Sequence, residues 1–297
     1  MGMFRPCVPS SLNRGWGLKV KDGESGTSMS YLATGFEDVD DTGAIQTFTH
    51  CLRLQQSLEF YHRYKQKTFN CLHLSAGALV LEVGCGTGED AIALAKLVGS
   101  TGKVTAVDRS QAMVQAAIAS TSEQTLPIDF VVADAQQLPF ADNSFDAARV
   151  DRTLQHVADP QRAIAEMARV LRPGGWMVAM EPDWETFIVD SNNRIATRQF
   201  LNFWCDSFPS GWVGRCLFKY FHQARLTDIQ VNPETLVITQ FDLADQIFDL
   251  VQTAHGARDA GIVSQSVVQA WLDELRQLDQ SQQFFCSFTA MIVSGKK

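Results

Sequence analysis

Apolar positions along the chain fall into two rhythms. Between about 44 and 74 they recur at helical spacing, and Leu52, Leu54, Leu58, Phe60, Tyr61, Tyr64 and Phe69 form one broad face. From 78 onward, short apolar runs alternate with helical stretches. Ala78-Leu79-Val80-Leu81-Glu82-Val83 predicts a first strand, and Ala91, Ile92, Leu94, Ala95 and Val98 a helix behind it. Lys103-Val104-Thr105-Ala106-Val107-Asp108 predicts a second strand. Ser110 then stands as N-cap of a helix through Met113, Val114 and Ile118. Ile128-Asp129-Phe130-Val131-Val132 and 145–150 are the third and fourth strands. Asp159-Pro160 supplies an N-cap and a first-turn proline, followed by Ile164, Met167, Ala168 and Leu171 at helical spacing. Pro173-Gly174-Gly175 stops that helix, and 176–180 is the fifth strand. Apolar runs without alternation are strands buried on both faces, so the pattern predicts a parallel sheet covered by helices on each side.

After Met180 the rhythm breaks. Residues 187–220 are rich in aromatic and basic groups and read as mostly helical, strands return at 228–231 and 236–239, and two more helices follow. The first of these carries Leu243, Ile247, Leu250, Val251 and Ala254, and the second Val267, Val268, Trp271, Leu272 and Leu275. A last strand is expected at 284–293. Residues 1–30 lack apolar periodicity and read as a flexible tail, within which Met29 is a candidate start. The expected organisation is therefore a tail over 1–30, a helical lid over 31–75, and a main domain over 76–297 with cap segments at about 184–225 and 243–280.

The formal charge of −8 disfavours nucleic acid or an anionic membrane surface, since both need a surplus of Lys and Arg. The seven cysteines are scattered, with no C-x-x-C, which points to reduced thiols and a cytoplasmic setting. The six histidines show no ligand spacing, so no metal is expected. No apolar run is long enough to span a bilayer, and no apolar leader opens the chain. A homo-oligomer is compatible with this composition.

The chemistry starts at the first strand. Its glycine turn, Gly84-x-Gly86-x-Gly88, opens a helix and lets a ligand approach exposed backbone N–H groups. Glu89 stands where the last glycine of a dinucleotide pattern would fall, and Glu82 makes the turn acidic, which repels a pyrophosphate and suits a positively charged or amino-bearing ligand. Asp108 ends the second strand, where a carboxylate binds ribose hydroxyls. Asp134 follows the third strand and can accept from an adenine amine. Three carboxylates at three successive strand ends face one crevice and together describe S-adenosylmethionine (SAM).

These runs resemble the motifs of class I SAM-dependent methyltransferases. Leu81-Glu82-Val83-Gly84-Cys85-Gly86-Thr87-Gly88 is similar to their first motif, and Val107-Asp108 with Ser110-x-x-Met113 to their ribose motif. Asp134-Ala135-x-x-Leu138-Pro139-Phe140, Phe145-Asp146 and Leu171-Arg172-Pro173-Gly174-Gly175 resemble later ones. The set resembles the ubiquinone/menaquinone-biosynthesis type (methyltransferase type 11) in particular, over about residues 78–182, and Glu181-Pro182-Asp183-Trp184 resembles a subgroup acting on small natural products. The resemblance implies a Rossmann-like α/β fold with a seven-stranded, mostly parallel sheet. It implies SAM as cofactor and a small-molecule acceptor, and adds Cys85, Arg109, Met113, Ala135 and Asp151 to the cofactor-binding set. Tyr64 and Lys65 on the N-terminal helix are expected to close over SAM.

The acceptor is expected beyond the fourth and fifth strands, with Arg152, His156 and Trp184 as its contacts and Glu181 or His156 as the base that removes a proton. Methylation at O, C or N stays open. So does a SAM-binding or scaffold protein without catalysis. A nicotinamide oxidoreductase is disfavoured by Glu82 and the glycine spacing, and DNA adenine methylation by the absence of N-P-P-[YF] after the fourth strand.

Overall fold

A computed structural model describes Asp40 and residues 45–297. The stretch read as a tail and most of the first part of the lid lie outside the described residues. The helical pattern of 44–74 divides into α1 (Ile45–Gln56) and α2 (Glu59–Asn70), broken at Ser57-Leu58. The alternating units follow as β1 (Leu79–Val83), α3 (Glu89–Val98), β2 (Lys103–Asp108), α4 (Gln111–Thr121), β3 (Ile128–Val132) and β4 (Phe145–Asp151). A 3-10 turn at Leu154–His156 leads to α5 (Pro160–Val170), β5 (Leu171–Val189), α6 (Arg194–Asp206) and α7 (Val213–Gln223). The chain ends with β6 (Thr227–Ile238), α8 (Phe241–Phe248), α9 (Leu250–Asp259), α10 (Gln265–Gln280) and β7 (Cys286–Lys296).

The seven strands form one sheet in the order β3-β2-β1-β4-β5-β7-β6. All neighbours are parallel except β7, which runs antiparallel to β5 and β6. The expected α/β class and seven-stranded, mostly parallel sheet are what the structure has. Side chains alternate between two core layers, as strand geometry requires. Val80, Ala147, Val178 and Ile292 face α2, α3, α6 and α8–α10, while Leu81, Val150, Ala179 and Val293 face α5 and α7.

Several boundaries differ from the expectation. β5 starts at Leu171, which pairs with Phe145 of β4 and is not part of the helix, and it does not stop at 180 but continues to Val189, because β7 pairs with it from Trp176–Lys296 to Val189–Cys286. The first part of the expected 184–225 cap is therefore sheet, and its two helices lie on opposite sheet faces. The strands at 228–231 and 236–239 are one strand, β6, held along its length by β7. The helix through Leu243 and Ala254 is two helices, because Asp249 is left-handed (φ 54°) between them. The caps at Ser110 and Asp159 form as read: their side chains accept from the N–H groups of Met113 and Arg162.

Candidate functional site

A cleft of about 290 Å³ opens at the C-terminal ends of β1, β2, β4 and β5, where ligands bind in open α/β sheets. Its floor is the β1–α3 turn. Gly84 (φ 73°) cannot carry a side chain: an added Cβ would lie 1.9 Å from Thr153 Oγ1. Gly86 (φ 52°) has only Leu52 of α1 nearby, at 3.8 Å, so a Cβ there would enter the gap between turn and helix. The Gly84 and Cys85 N–H groups donate to Val107 O, tying the turn to β2. Asp108 holds the same corner: its carboxylate accepts from Gly86 N (2.9 Å) and Ser110 N (3.0 Å). Burial raises its pKa above the ordinary value. Arg109, Met113, Asp134 and Ala135 continue this wall. A bare glycine turn, a carboxylate at the second strand end and another at the third are the donor set a nucleoside with an amino-acid tail needs, so the residues fit SAM.

Below the turn lies a buried charge network that sequence reading did not foresee. Arg149 on β4 is fully buried. It pairs with Glu82, with Asp90 at 3.1 Å and with Asp151 at 2.6 Å. It also donates to Thr68 Oγ1 (2.9 Å) and lies 4.9 Å from the Phe69 ring. Glu82, read as facing the ligand, is thus turned away from the cleft and committed to Arg149. Burial pushes its carboxyl up to about 8, although Arg149 pulls it down. Tyr64 is likewise fully buried, outside the lining, and donates to Asp151 Oδ1 at 3.2 Å. Lys65 does line the cleft, paired with Asp90 at 2.6 Å. Burial would raise Asp90, but Arg149 and Lys65 outweigh it and hold the carboxyl well below the ordinary range. A charged residue within a strand read as buried on both faces was the signal available in the sequence.

The far end is aromatic. Trp184, Trp204, Phe208 and Phe288 line it with Ile247. Trp184 stacks on Phe208, centroids 5.5 Å apart and planes at 21°. Its indole N–H donates to Gln155 Oε1 at 2.7 Å. The aromatic richness of 187–220 was the signal for Trp204 and Phe208; Phe288, from β7, had no local signal.

The junction of the two ends is the loop after β4. Arg152 there is left-handed (φ 51°), a costly conformation for a side-chain-bearing residue. Its guanidinium bonds Gln55 of α1, lies 3.4 Å from Asp151 and sits 4.9 Å over the Tyr61 ring. His156 lines the cleft, and burial, then Arg152, push its pKa down to about 3. Glu181 does not reach the cleft. It is fully buried and accepts from Thr153 N (2.8 Å), Leu154 N (2.6 Å) and Gln155 N (3.3 Å). The expected catalytic base is thus a brace beneath the loop carrying Arg152, Gln155 and His156. Arg215 on α7 grips Asp183 at 2.5 and 2.7 Å and fixes β5 from the side opposite Trp184.

Among the described residues no group of three or more His, Cys, Asp or Glu is placed to hold a metal, and no helix is long and apolar enough to cross a membrane.

Comparison with known proteins agrees with the sheet. The methyltransferase domain family matches residues 81–179. A 37.1 kDa protein in transposon TN4556 of Streptomyces fradiae is 37% identical over 232 residues, 77% of this chain and 66% of that protein. Demethylmenaquinone methyltransferase of Bacillus licheniformis is 30% identical over 194 residues, 60% of this chain and 83% of that enzyme. Among solved structures, the YcgJ protein of Bacillus subtilis superposes with a TM-score of 0.57 at 21% identity, covering 80% of this chain and 98% of that one.

Proposed function

The chain belongs to the class I SAM-dependent methyltransferases, and from that premise we propose that it methylates a small, planar, largely apolar acceptor. The observation that carries this reading is one continuous cleft with a glycine turn and carboxylates at one end and stacked aromatic rings at the other. The quinone-methylating relative is consistent with such an acceptor.

In this reading the 84–88 turn, with Cys85 at its edge, takes the middle of SAM, and Asp108 takes the ribose. Arg109, Met113, Asp134 and Ala135 surround the adenine. Tyr61, Lys65, Asp90 and Asp151 face the amino-acid tail, offering charges of both signs to a zwitterion. Bound SAM would supply an electrophilic methyl carbon and a sulfur able to take up the electron pair of the bond that breaks. The protein aligns the partners and excludes water. Glu181 acts indirectly, holding the 153–155 backbone and through it Arg152 and His156. His156, pushed down to about 3, is a poor proton acceptor at neutral pH.

The test has two parts. Calorimetry should show SAM binding, and NADH binding tighter than SAM would sink the reading. Incubation with methyl-labelled SAM and a metabolite extract, followed by mass spectrometry, should yield a labelled small molecule. SAM binding without a labelled product in any extract would leave a SAM-binding protein without catalysis.

A further inference from the structure

An aromatic box serves two kinds of ligand: an organic cation over its ring faces, or a planar molecule between them. The charges around this one separate the two. From Arg152 onward the cleft lining contains no Asp or Glu. Of the nearby carboxylates, Glu181 is committed to three backbone N–H groups and Asp183 to Arg215, while Asp249, whose charge acts on Cys51, lies outside the lining. The lining carboxylates, Glu89, Asp90, Asp108, Asp134 and Asp151, all belong to the cofactor end.

Arg152 is the cation at the seam. Asp151 pairs with it at 3.4 Å, but that carboxylate is shared with Arg149 at 2.6 Å and with Tyr64 at 3.2 Å. Its field reaches the aromatic side, where it contributes to the lowered pKa of His156 and opposes the burial that raises Cys51. Gln55, Asp151 and Tyr61 engage part of its fork of N–H donors, and the residue lines the cleft.

We propose that Arg152 sets acceptor specificity: the aromatic end takes a planar acceptor with an acidic hydroxyl, bound as its oxyanion against the Arg152 guanidinium, and rejects organic cations. This rests on the methyl-transfer reading of the cleft. An acceptor bound as an oxyanion brings its own attacking lone pair, so methylation at that oxygen leaves the protein no proton to remove. The lining agrees: burial, then Arg152, push the His156 pKa down to about 3, and burial pushes the Cys51 thiol up to about 11.

Three probes of similar size test the charge preference: para-nitrophenolate, para-nitroanisole and phenyltrimethylammonium. Each is titrated calorimetrically into the protein, with and without saturating S-adenosylhomocysteine, in mildly alkaline buffer. The phenolate should bind at least about tenfold tighter than the anisole, as a hydrogen bond to a charged group predicts. The ammonium probe should bind weakest. Arg152→Gln should erase the margin between phenolate and anisole, and Arg152→Lys should keep most of it. Trp184→Ala should weaken both neutral and anionic probes alike. An ammonium probe binding as tightly as the phenolate, a margin that survives Arg152→Gln, or no binding of any probe to folded protein would each overturn the proposal. Should the wild-type order hold while no methyl transfer is found, the functional reading fails and the charge preference stands.

Discussion

The two ends of the cleft are built on different principles. The cofactor end is mostly backbone and acidic side chains from residues 83–135, joined by Tyr61, Lys65 and Asp151, with a buried charge network beneath. The acceptor end is a surface of large side chains drawn from residues far apart in sequence, including Gln155, Trp184, Phe208, Ile247 and Phe288. A backbone cradle depends on turn geometry and tolerates little substitution, as the crowding at Gly84 illustrates. A wall of rings can change shape one side chain at a time. The same sheet can therefore keep one methyl donor while its acceptor changes.

The largest expected effect tests whether the charge network supports the cofactor end. Arg149→Met leaves Glu82 without its partner in the interior and takes one partner each from Asp90 and Asp151, and should cost about 3–5 kcal/mol of stability in urea unfolding. A loss under about 1 kcal/mol would mean that this end does not rely on its buried ions.

Next, Asp108→Ala should weaken SAM by roughly 1.5–3 kcal/mol in calorimetry, the range for hydrogen bonds to a charged group. Binding of para-nitroanisole should stay unchanged. Parallel losses of both ligands would erase the distinction between the ends.

Glu181→Gln probes the brace under the acceptor loop through pH. Burial raises the Glu181 carboxyl from 4.5 to about 8, against three N–H donors that favour its ionised form. The folded state therefore holds a proton that the unfolded chain releases first. Its stabilising contribution is complete below about 4.5 and is lost as pH rises through about 8. Melting temperatures across that window should show wild type losing ground relative to the Gln variant as pH rises. Parallel profiles would remove Glu181 as a titrating brace.

The smallest effect is at the cofactor rim. The Asp40 carboxylate accepts from Ser110 Oγ (2.6 Å), Gln111 N (2.9 Å) and Ala112 N (2.9 Å), joining the segment before α1 to the start of α4. The Ser110 hydrogen bond and those from the backbone lower its pKa. Asp40→Ala should cost about 1 kcal/mol, as for a lost helix cap, and speed hydrogen exchange at Gln111 and Ala112. Unchanged exchange there would show that α4 needs no second cap beyond Ser110.

Much of the fold was legible because its signals are local. β2 and β3 fall where the apolar runs lie, and Ser110 and Asp159 cap the helices they precede. The reading failed where distant strands decide. β5 extends past Met180 because β7, more than a hundred residues on, supplies hydrogen bonds to it, and no pattern within 176–189 announces that partner. The site divides the same way. Asp108, Asp134, Gly84 and Gly86 line the cleft from positions that follow directly from strand ends, whereas Gly88 faces Ala117 and Phe130 outside it. Glu82, Tyr64 and Glu181 were placed in the right neighbourhood but facing the wrong way, since their directions are set by Arg149, Asp151 and the 153–155 backbone.

Sequence by itself determined the sheet class, the glycine turn and the strand-end carboxylates, because each depends on residues close along the chain. Tertiary structure decided which carboxylates face ligand and which are spent on Arg149 or on backbone N–H groups. It also decided which rings meet across the acceptor end and where Arg152 stands at its edge. Those outcomes depend on burial and on partners that folding alone brings within hydrogen-bonding distance.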